Sequence, residues 1–513
     1  MSLTETGRTS RVFPTVERDG EGYLRQEDAL HRGNRGNSVA HAGGHCACDD
    51  PAAGEERAMR IIYFDIDCLR PDHLGCYGYK RPTSPAIDAI ARQGARFEHY
   101  YCVSSPCVPA RAAWISGRFG IRNGVISNHG AGARFHLRTR TYGGPEPDNE
   151  LLTRLLRAHG YDTISFSNFA DRHSAYWFTC GWSEYHTPNL RGGAETAEEV
   201  NVPLLRWLKH NATRENYFLH INYWDAHRCY KMDASWADRF KEFPVEQPWP
   251  DEDAIRAHQG IRGPFTAQAQ FRDGVSPFPL MPGSVSSRKD FEHMITGYDA
   301  AIAYVDHHVG IVLDELDRQG VLDDAAIIIS ADHGDAFGEH GIYSDHVCAD
   351  ECIHRIPLVI RWPGASKAGH TSDALLYNAD FAPTLCDLLG IPIPADWDGL
   401  SFRKNIQGND GVAREYLVWD HGLYAVQRAV RTRTHLMVRT YDDFGYPFEP
   451  VELYDMAQDP YQTLNLQDEC PEIVRECEDV MAEWTEEQLA KGHCIPDPLE
   501  EILCERGKAS IGG

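Results

Sequence analysis

Four short polar clusters in the 513-residue sequence each follow an apolar run, and each holds side chains able to do chemistry. The first is Asp65-Ile66-Asp67-Cys68, after Ile61-Ile62-Tyr63-Phe64. Carboxylates at i and i+2 of a strand point to one side. At a strand's carboxyl end the pair suits a divalent cation, although one strand-end Asp capping the next turn explains the residues equally well. The second is Ser104-Ser105-Pro106-Cys107-Val108-Pro109-Ala110-Arg111-Ala112-Ala113. Pro109 before Ala-Arg-Ala-Ala opens a helix, with the proline in its first turn. Cys107 then lies at the helix N-terminus, where unpaired backbone N–H groups favour an anion. Arg111 is four residues on and shares its face. A nucleophile beside a guanidinium suits attack on a tetrahedral oxyanion; the plainer alternative is a buried structural cysteine near a surface arginine.

The third cluster, Ser330-Ala331-Asp332-His333-Gly334-Asp335, ends the run Ile327-Ile328-Ile329. Asp332 and His333, adjacent in a turn, can converge on one metal ion or form an Asx-turn beside a partly buried histidine. Glu339-His340-Gly341 and Asp345-His346 follow closely. The fourth, His220-Ile221-Asn222-Tyr223-Trp224-Asp225-Ala226-His227, places His227 after a strand. A histidine there can act as a general acid near neutral pH, though a lone histidine is more often structural.

These clusters need strand ends to position them. Residues 61–64, 163–166, 217–222, 326–330 and 358–361 read as buried strands. Residues 85–93, 149–159, 195–210 and 291–318 read as helices between them. The alternation predicts an α/β fold, a large mixed and mostly parallel sheet sandwiched by helices. Such sheets bind ligands at the carboxyl ends of their strands, where all four clusters fall. Residues 1–58 read as a disordered or peripheral extension, residues 59–400 as the catalytic α/β domain, and residues 401–490 as a smaller α+β domain. The latter rests on alternating stretches 414–419, 424–431 and 434–440 and a helix over 472–489. Residues 230–290 read as a long insertion forming a lid. The tail, 491–513, is expected to cover a neighbour or hang free, and a homo-oligomer stays open.

The formal net charge is −26, so neither nucleic acid nor membrane is an expected partner. An anionic substrate then requires local cations. The 15 cysteines do not read as a disulfide framework, and no apolar run has secretory or transmembrane character. A cytoplasmic protein with mostly free thiols is expected.

Cys107-Val108-Pro109-Ala110-Arg111 resembles the Cys-x-Pro-x-Arg signature of type I sulfatases in the alkaline phosphatase superfamily, and the likeness runs on through Ala112-Ala113-Trp114-Ile115-Ser116-Gly117-Arg118. The stretch from Asp67-Cys68-Leu69-Arg70 to Cys76-Tyr77-Gly78 resembles the family's first metal loop. Asp332-His333-Gly334 and Glu339-His340-Gly341 resemble its second, and Arg361-Trp362-Pro363-Gly364 the strand that follows. Glu452-Leu453-Tyr454-Asp455 through Asn465-Leu466 resembles its C-terminal domain. The matches cover about residues 59–490, in order.

The resemblance implies an alkaline phosphatase-like fold and a formylglycine made from Cys107 by a formylglycine-generating or sulfatase-maturing enzyme. In the hydrated aldehyde one hydroxyl attacks sulfur or phosphorus, and the other collapses to expel sulfate. It also implies one divalent metal, held by Asp67, Asp332, His333 and modified Cys107. Ca²⁺ is the expected ion, with Mn²⁺ or Zn²⁺ the alternatives that His333 admits. Arg111 would steady the nucleophile, Asn128 contact the transferred group and His227 protonate the leaving oxygen. His346 falls near the family's substrate-binding lysine.

Two departures stand out. Many relatives carry Asp-Asp in the first loop, where this chain has Asp67-Cys68; Asp65 is given no site role. The family's Gly-Lys-Trp-His segment is absent, and Ser167-Asn168-Phe169 stands roughly there. The leading expectation is a metal-dependent sulfuric ester hydrolase acting on a small-molecule sulfate ester. A phosphonate monoester or phosphodiester hydrolase on the same scaffold is the rival, favoured by a more cationic pocket. A non-catalytic binding protein with unmodified Cys107 is third.

Overall fold

A computed structural model describes residues 59–136, 151–271, 274–491 and 496–507; the N-terminal extension expected over 1–58 lies outside them. In chain order the strands are β1 (Arg60–Ile66), β2 (Ala95–Tyr101), β3 (Ser104–Ser105), β4 (Asp162–Phe166), β5 (Glu184–His186), β6 (Tyr217–Tyr223), β7 (Ala325–Ser330) and β8 (Ala336–Phe337). There follow β9 (Tyr343–Asp345), β10 (Arg355–Ile356), β11 (Leu358–Arg361), β12 (His370–Tyr377), β13 (Tyr416–His421), β14 (Val426–Thr432), β15 (His435–Asp442) and β16 (Val451–Asp455).

The large sheet runs β10-β2-β11-β7-β1-β6-β4-β5, with β12 paired to β2. β7, β1, β6, β4 and β5 are parallel; β11 enters antiparallel between β7 and β2. β6 and β7 are buried along their whole lengths, as strands covered on both faces must be. Alternation along β1 shows what covers each face. Tyr63 packs on Trp114 and Phe381, both at 5.0 Å, in helices Cys107–Ser116 and Phe381–Leu389. Its neighbour Phe64 points the other way, onto Tyr223, whose hydroxyl donates to Asn201 of helix Ala197–Asn211. Asp65 shares the Tyr63 face and therefore meets the helix that begins at Cys107.

β2 and β12 were not read from the sequence. β2 alternates Arg96, Glu98 and His99 with its apolar residues, and β12 starts as His370-Thr371-Ser372-Asp373. Both are only partly covered, so neither carries a continuous apolar run.

The second sheet, β16-β15-β14-β13-β3, is antiparallel except that β3 runs parallel to β13. Helix Pro471–Lys491 packs on it through Cys477, Met481 and Trp484. Within the tail, Pro498–Glu505 is a helix whose Leu499, Ile502 and Leu503 pack with Ile126, Ala131 and Val426. Its apolar residues at i, i+3 and i+4 give it a face to bury.

Candidate functional site

The four clusters meet at the carboxyl ends of β1, β6 and β7. Helix Cys107–Ser116 is buried throughout, with Cys107 1% exposed. Asn128 accepts a 2.9 Å hydrogen bond from the Val108 backbone N–H, so its side-chain oxygen secures the start of this helix. One turn on, Arg111 gathers three carboxylates. Its Nε lies 2.7 Å from Asp65 Oδ2, its Nη1 2.6 Å from Asp332 Oδ2 and its Nη2 3.2 Å from Asp67 Oδ2. Asp65, without a sequence-assigned role, is thus one of the three carboxylates that orient Arg111, and it also faces His220 Nε2 at 3.2 Å.

The ligand atoms of Asp67, Cys107, Asp332 and His333 all lie within 4.8 Å of one another, and all four residues are buried. His333 Nδ1 donates to the Gly334 carbonyl at 2.8 Å, so the lone pair is on Nε2, which faces Cys107 Sγ at 3.2 Å. Two carboxylates and a correctly oriented imidazole fit a divalent cation. One guanidinium against three carboxylates leaves the local charge negative, which favours such an ion. Cys68, in place of the relatives' second Asp, donates its thiol to Asp67 Oδ1 at 3.2 Å.

Burial works to raise the Asp67 carboxyl, but positive charge close by, the Arg111 guanidinium first, outweighs it and holds it well below the usual range. Burial, then Asp67 and Asp332, push the Cys107 thiol well up. Burial and the neighbouring His346 lower His333 to about 3.

Above the cluster lies a cavity of about 560 Å³. His227 and His346 stand on its wall with ring centroids 5.8 Å apart. His227 Nδ1 donates to the Arg228 carbonyl, leaving Nε2 to accept from Arg172 at 3.4 Å. Burial, with Arg172 adding to it, lowers His227 to about 4, so the ring is neutral as it stands. His346 is the opposite case. Burial would lower it, but Asp345 and Asp335 raise it to about 9, and Asp335 Oδ1 holds its Nδ1 at 2.8 Å. The lid expected over 230–290 contributes wall through Phe265, which carries the Arg228 guanidinium at 4.4 Å.

The structure therefore brings Asp67, Cys107, Arg111, Asp332 and His333 into one cluster, with Asn128, His227 and His346 around its mouth. Sequence reasoning gave no site role to Asp65, Asp335, Arg228, Arg172 and His173. A signal for the last two existed: Asp171-Arg172-His173 stands within seven residues of the end of β4, beside the place where the Lys-Trp-His segment is lacking.

A family model described as Sulfatase matches residues 60–391, and one described as N-sulphoglucosamine sulphohydrolase, C-terminal, matches residues 338–488. An N-acetylglucosamine-6-O-sulfatase of Bacteroides thetaiotaomicron is 24% identical over 89% of this chain and 91% of its own length. A choline-sulfatase of Rhizobium meliloti is 26% identical over 75% and 77%. A solved structure in complex with its substrate D-glucosamine-2-N,6-O-disulfate superposes with a TM-score of 0.67 at 20% identity, covering 86% of this chain and 99% of that one. A phosphonate monoester hydrolase of Agrobacterium radiobacter gives a TM-score of 0.65 at 20% identity, over 85% and 96%.

Proposed function

The chain belongs to the sulfatase family, and from that premise we propose that it hydrolyses small-molecule sulfate esters with residue 107 as formylglycine beside one divalent cation. The carrying observation is the convergence of Asp67, Cys107, Asp332 and His333 beneath a cavity lined by Arg172 and Arg228. Those four residues would hold the ion, which supplies positive charge that lowers the nucleophile's pKa and neutralises an ester oxygen. Ca²⁺ is the expected ion, with Mn²⁺ and Zn²⁺ the alternatives. The formylglycine hydrate supplies a nucleophilic hydroxyl and a second hydroxyl that releases sulfate. Cys107 is 1% exposed, so a maturing enzyme has to reach it before the chain folds.

The other residues have distinct tasks. Arg111 holds Asp65, Asp67 and Asp332 in position. Asn128 fixes the helix start. His346, kept protonated by Asp335 and Asp345, presents a cation to the bound ester. His227 carries the leaving-group proton on Nε2 once a bound anion draws Arg172 away from it; its Nδ1–H stays on the Arg228 carbonyl. The twelve cysteines in the described residues are free, and a cytoplasmic location is part of the proposal, tested by cell fractionation.

Mass spectrometry of the Cys107 peptide from native-host protein is expected to show formylglycine, and Cys107→Ala to abolish turnover. An intact thiol in active enzyme would falsify this reading. The phosphonate and phosphodiester reading is kept by the arginines and histidines of the cavity. Parallel assays with an aryl sulfate, a phosphonate monoester and a phosphodiester decide it. The aryl sulfate is expected to give the highest kcat/KM, and a phosphoester preference reverses the assignment.

A further inference from the structure

The family's lysine–histidine segment is missing, and the structure shows what stands in its place. Asn168, at about the lysine's position, is turned away: its amide donates to the Asn189 carbonyl and to Glu195. The chain then makes one short helical turn, Phe169–His173, and returns two side chains to the cavity wall, Arg172 and His173.

Arg172 differs from the other arginines here. Arg111 is matched by three carboxylates and Arg228 lies 3.4 Å from Asp345. Among the described residues no carboxylate lies within 4.0 Å of Arg172. Its guanidinium is held instead by neutral groups: the Gly192 and Gly193 carbonyls, each at 3.3 Å, His227 Nε2 at 3.4 Å, and the face of Trp224 at 4.8 Å. These contacts are long, and they leave a positioned cation whose charge is not neutralised. His173 adds a second, independent observation. Its Nε2 is buried and has no hydrogen-bond partner. An unpartnered buried ring nitrogen on a cavity wall costs stability unless a ligand atom meets it. A planar fork with free N–H groups beside such a ring suits the oxygens of a tetrahedral anion.

We infer that Arg172 and His173 hold the non-bridging oxygens of the sulfuryl group being transferred. The assignment rests on the sulfate-ester reading above for the identity of that group. It makes Arg172 a contact of the transferred group rather than of the organic leaving group.

Inorganic sulfate is the probe, titrated calorimetrically into matured, metal-loaded full-length protein. Arg172→Ala is expected to weaken sulfate binding about tenfold or more, with Arg172→Lys recovering part of the loss and His173→Ala falling between. Loss of kcat/KM in Arg172→Ala is expected to be equal across aryl sulfates with different leaving groups. Sulfate affinity unchanged in Arg172→Ala, or a loss that varies with the leaving group, overturns the assignment. Wild-type protein that binds no sulfate overturns it as well. Thermal melting checks each fold, and Arg172→Lys decides alone if Arg172→Ala does not fold. Wild-type protein that turns over no sulfate ester instead sinks the sulfatase reading, while the calorimetry still tests the anion site.

Discussion

Arg111 is 2% exposed and faces Asp65, Asp67 and Asp332 at once. A buried guanidinium with three carboxylates is costly to interrupt, because removing it strands charges that burial will not tolerate. Arg111→Ala is expected to lower unfolding free energy by about 3–5 kcal/mol, measured by urea denaturation of metal-free protein. A divalent ion should recover part of that loss, since it binds the same carboxylates in the folded state alone. A variant as stable as wild type would mean that Arg111 does not hold the cluster. The same residues show what the sequence could reveal. Cys107, Arg111, Asp67, Asp332 and His333 each lie at a strand end or a helix start, where local geometry already aims them. Arg172 and His173 lie in a five-residue helix outside any family signature, and Arg172 stands on the cavity wall over the face of Trp224, just past the end of β6.

The segment from Asp332 to Asp350 carries Asp332 and His333 at one end and His346 near the other, so its fixed course matters to the site. Several contacts pin it. Glu339 meets Arg70 at 3.2 Å; His340 meets Asp350 at 2.8 Å and Tyr454 at 3.0 Å. At Gly341, with φ near +71°, a Cβ would come within 2.3 Å of Ile261, so the turn needs glycine. Burial would lower the His340 pKa, but Asp350, Tyr454 and Glu452 raise it well above its ordinary value. With the folded-state pKa above the unfolded one, its stabilisation is complete below about pH 6.5 and is lost as pH rises through the folded-state value. His340→Gln is expected to lower the melting temperature at neutral pH and to flatten the alkaline decline, measured by melts from neutral to alkaline pH. A parallel, undiminished decline in the variant would assign the effect elsewhere. The Glu339-His340-Gly341 motif was readable in sequence, but its tie to β16 was not, because more than a hundred residues separate His340 from Tyr454.

At the scale of the whole molecule, the C-terminal sheet ends beside residue 107. β3 is its edge strand, pairing Ser104 with Asp420 and Ser105 with His421, and Cys107 follows two residues later. Ser105 Oγ lies 2.7 Å from His421 Nδ1 of β13 and 2.9 Å from His354 Nε2, at the end of the short helix Glu351–His354 before β10, so two histidines from distant parts of the chain fix it. Trp419 of β13 is fully buried and stacks on Tyr101 at 5.3 Å and His354 at 4.8 Å. Boundaries at 400 and 490 describe a change of texture along the chain. The contacts across them tie β13 to the segment that carries residue 107. Removing residues 401–513 strips β13 from β3, uncovers Tyr101 and exposes an unpaired strand edge, a template for aggregation. The fragment 59–400 is expected to be insoluble or to lack near-UV circular dichroism and metal-dependent stabilisation. Trp419→Ala tests the same coupling within the full chain: it should cost about 3–5 kcal/mol and depress turnover as well. A fragment that melts cooperatively and is stabilised by a divalent ion would show that β3 keeps its place without β13.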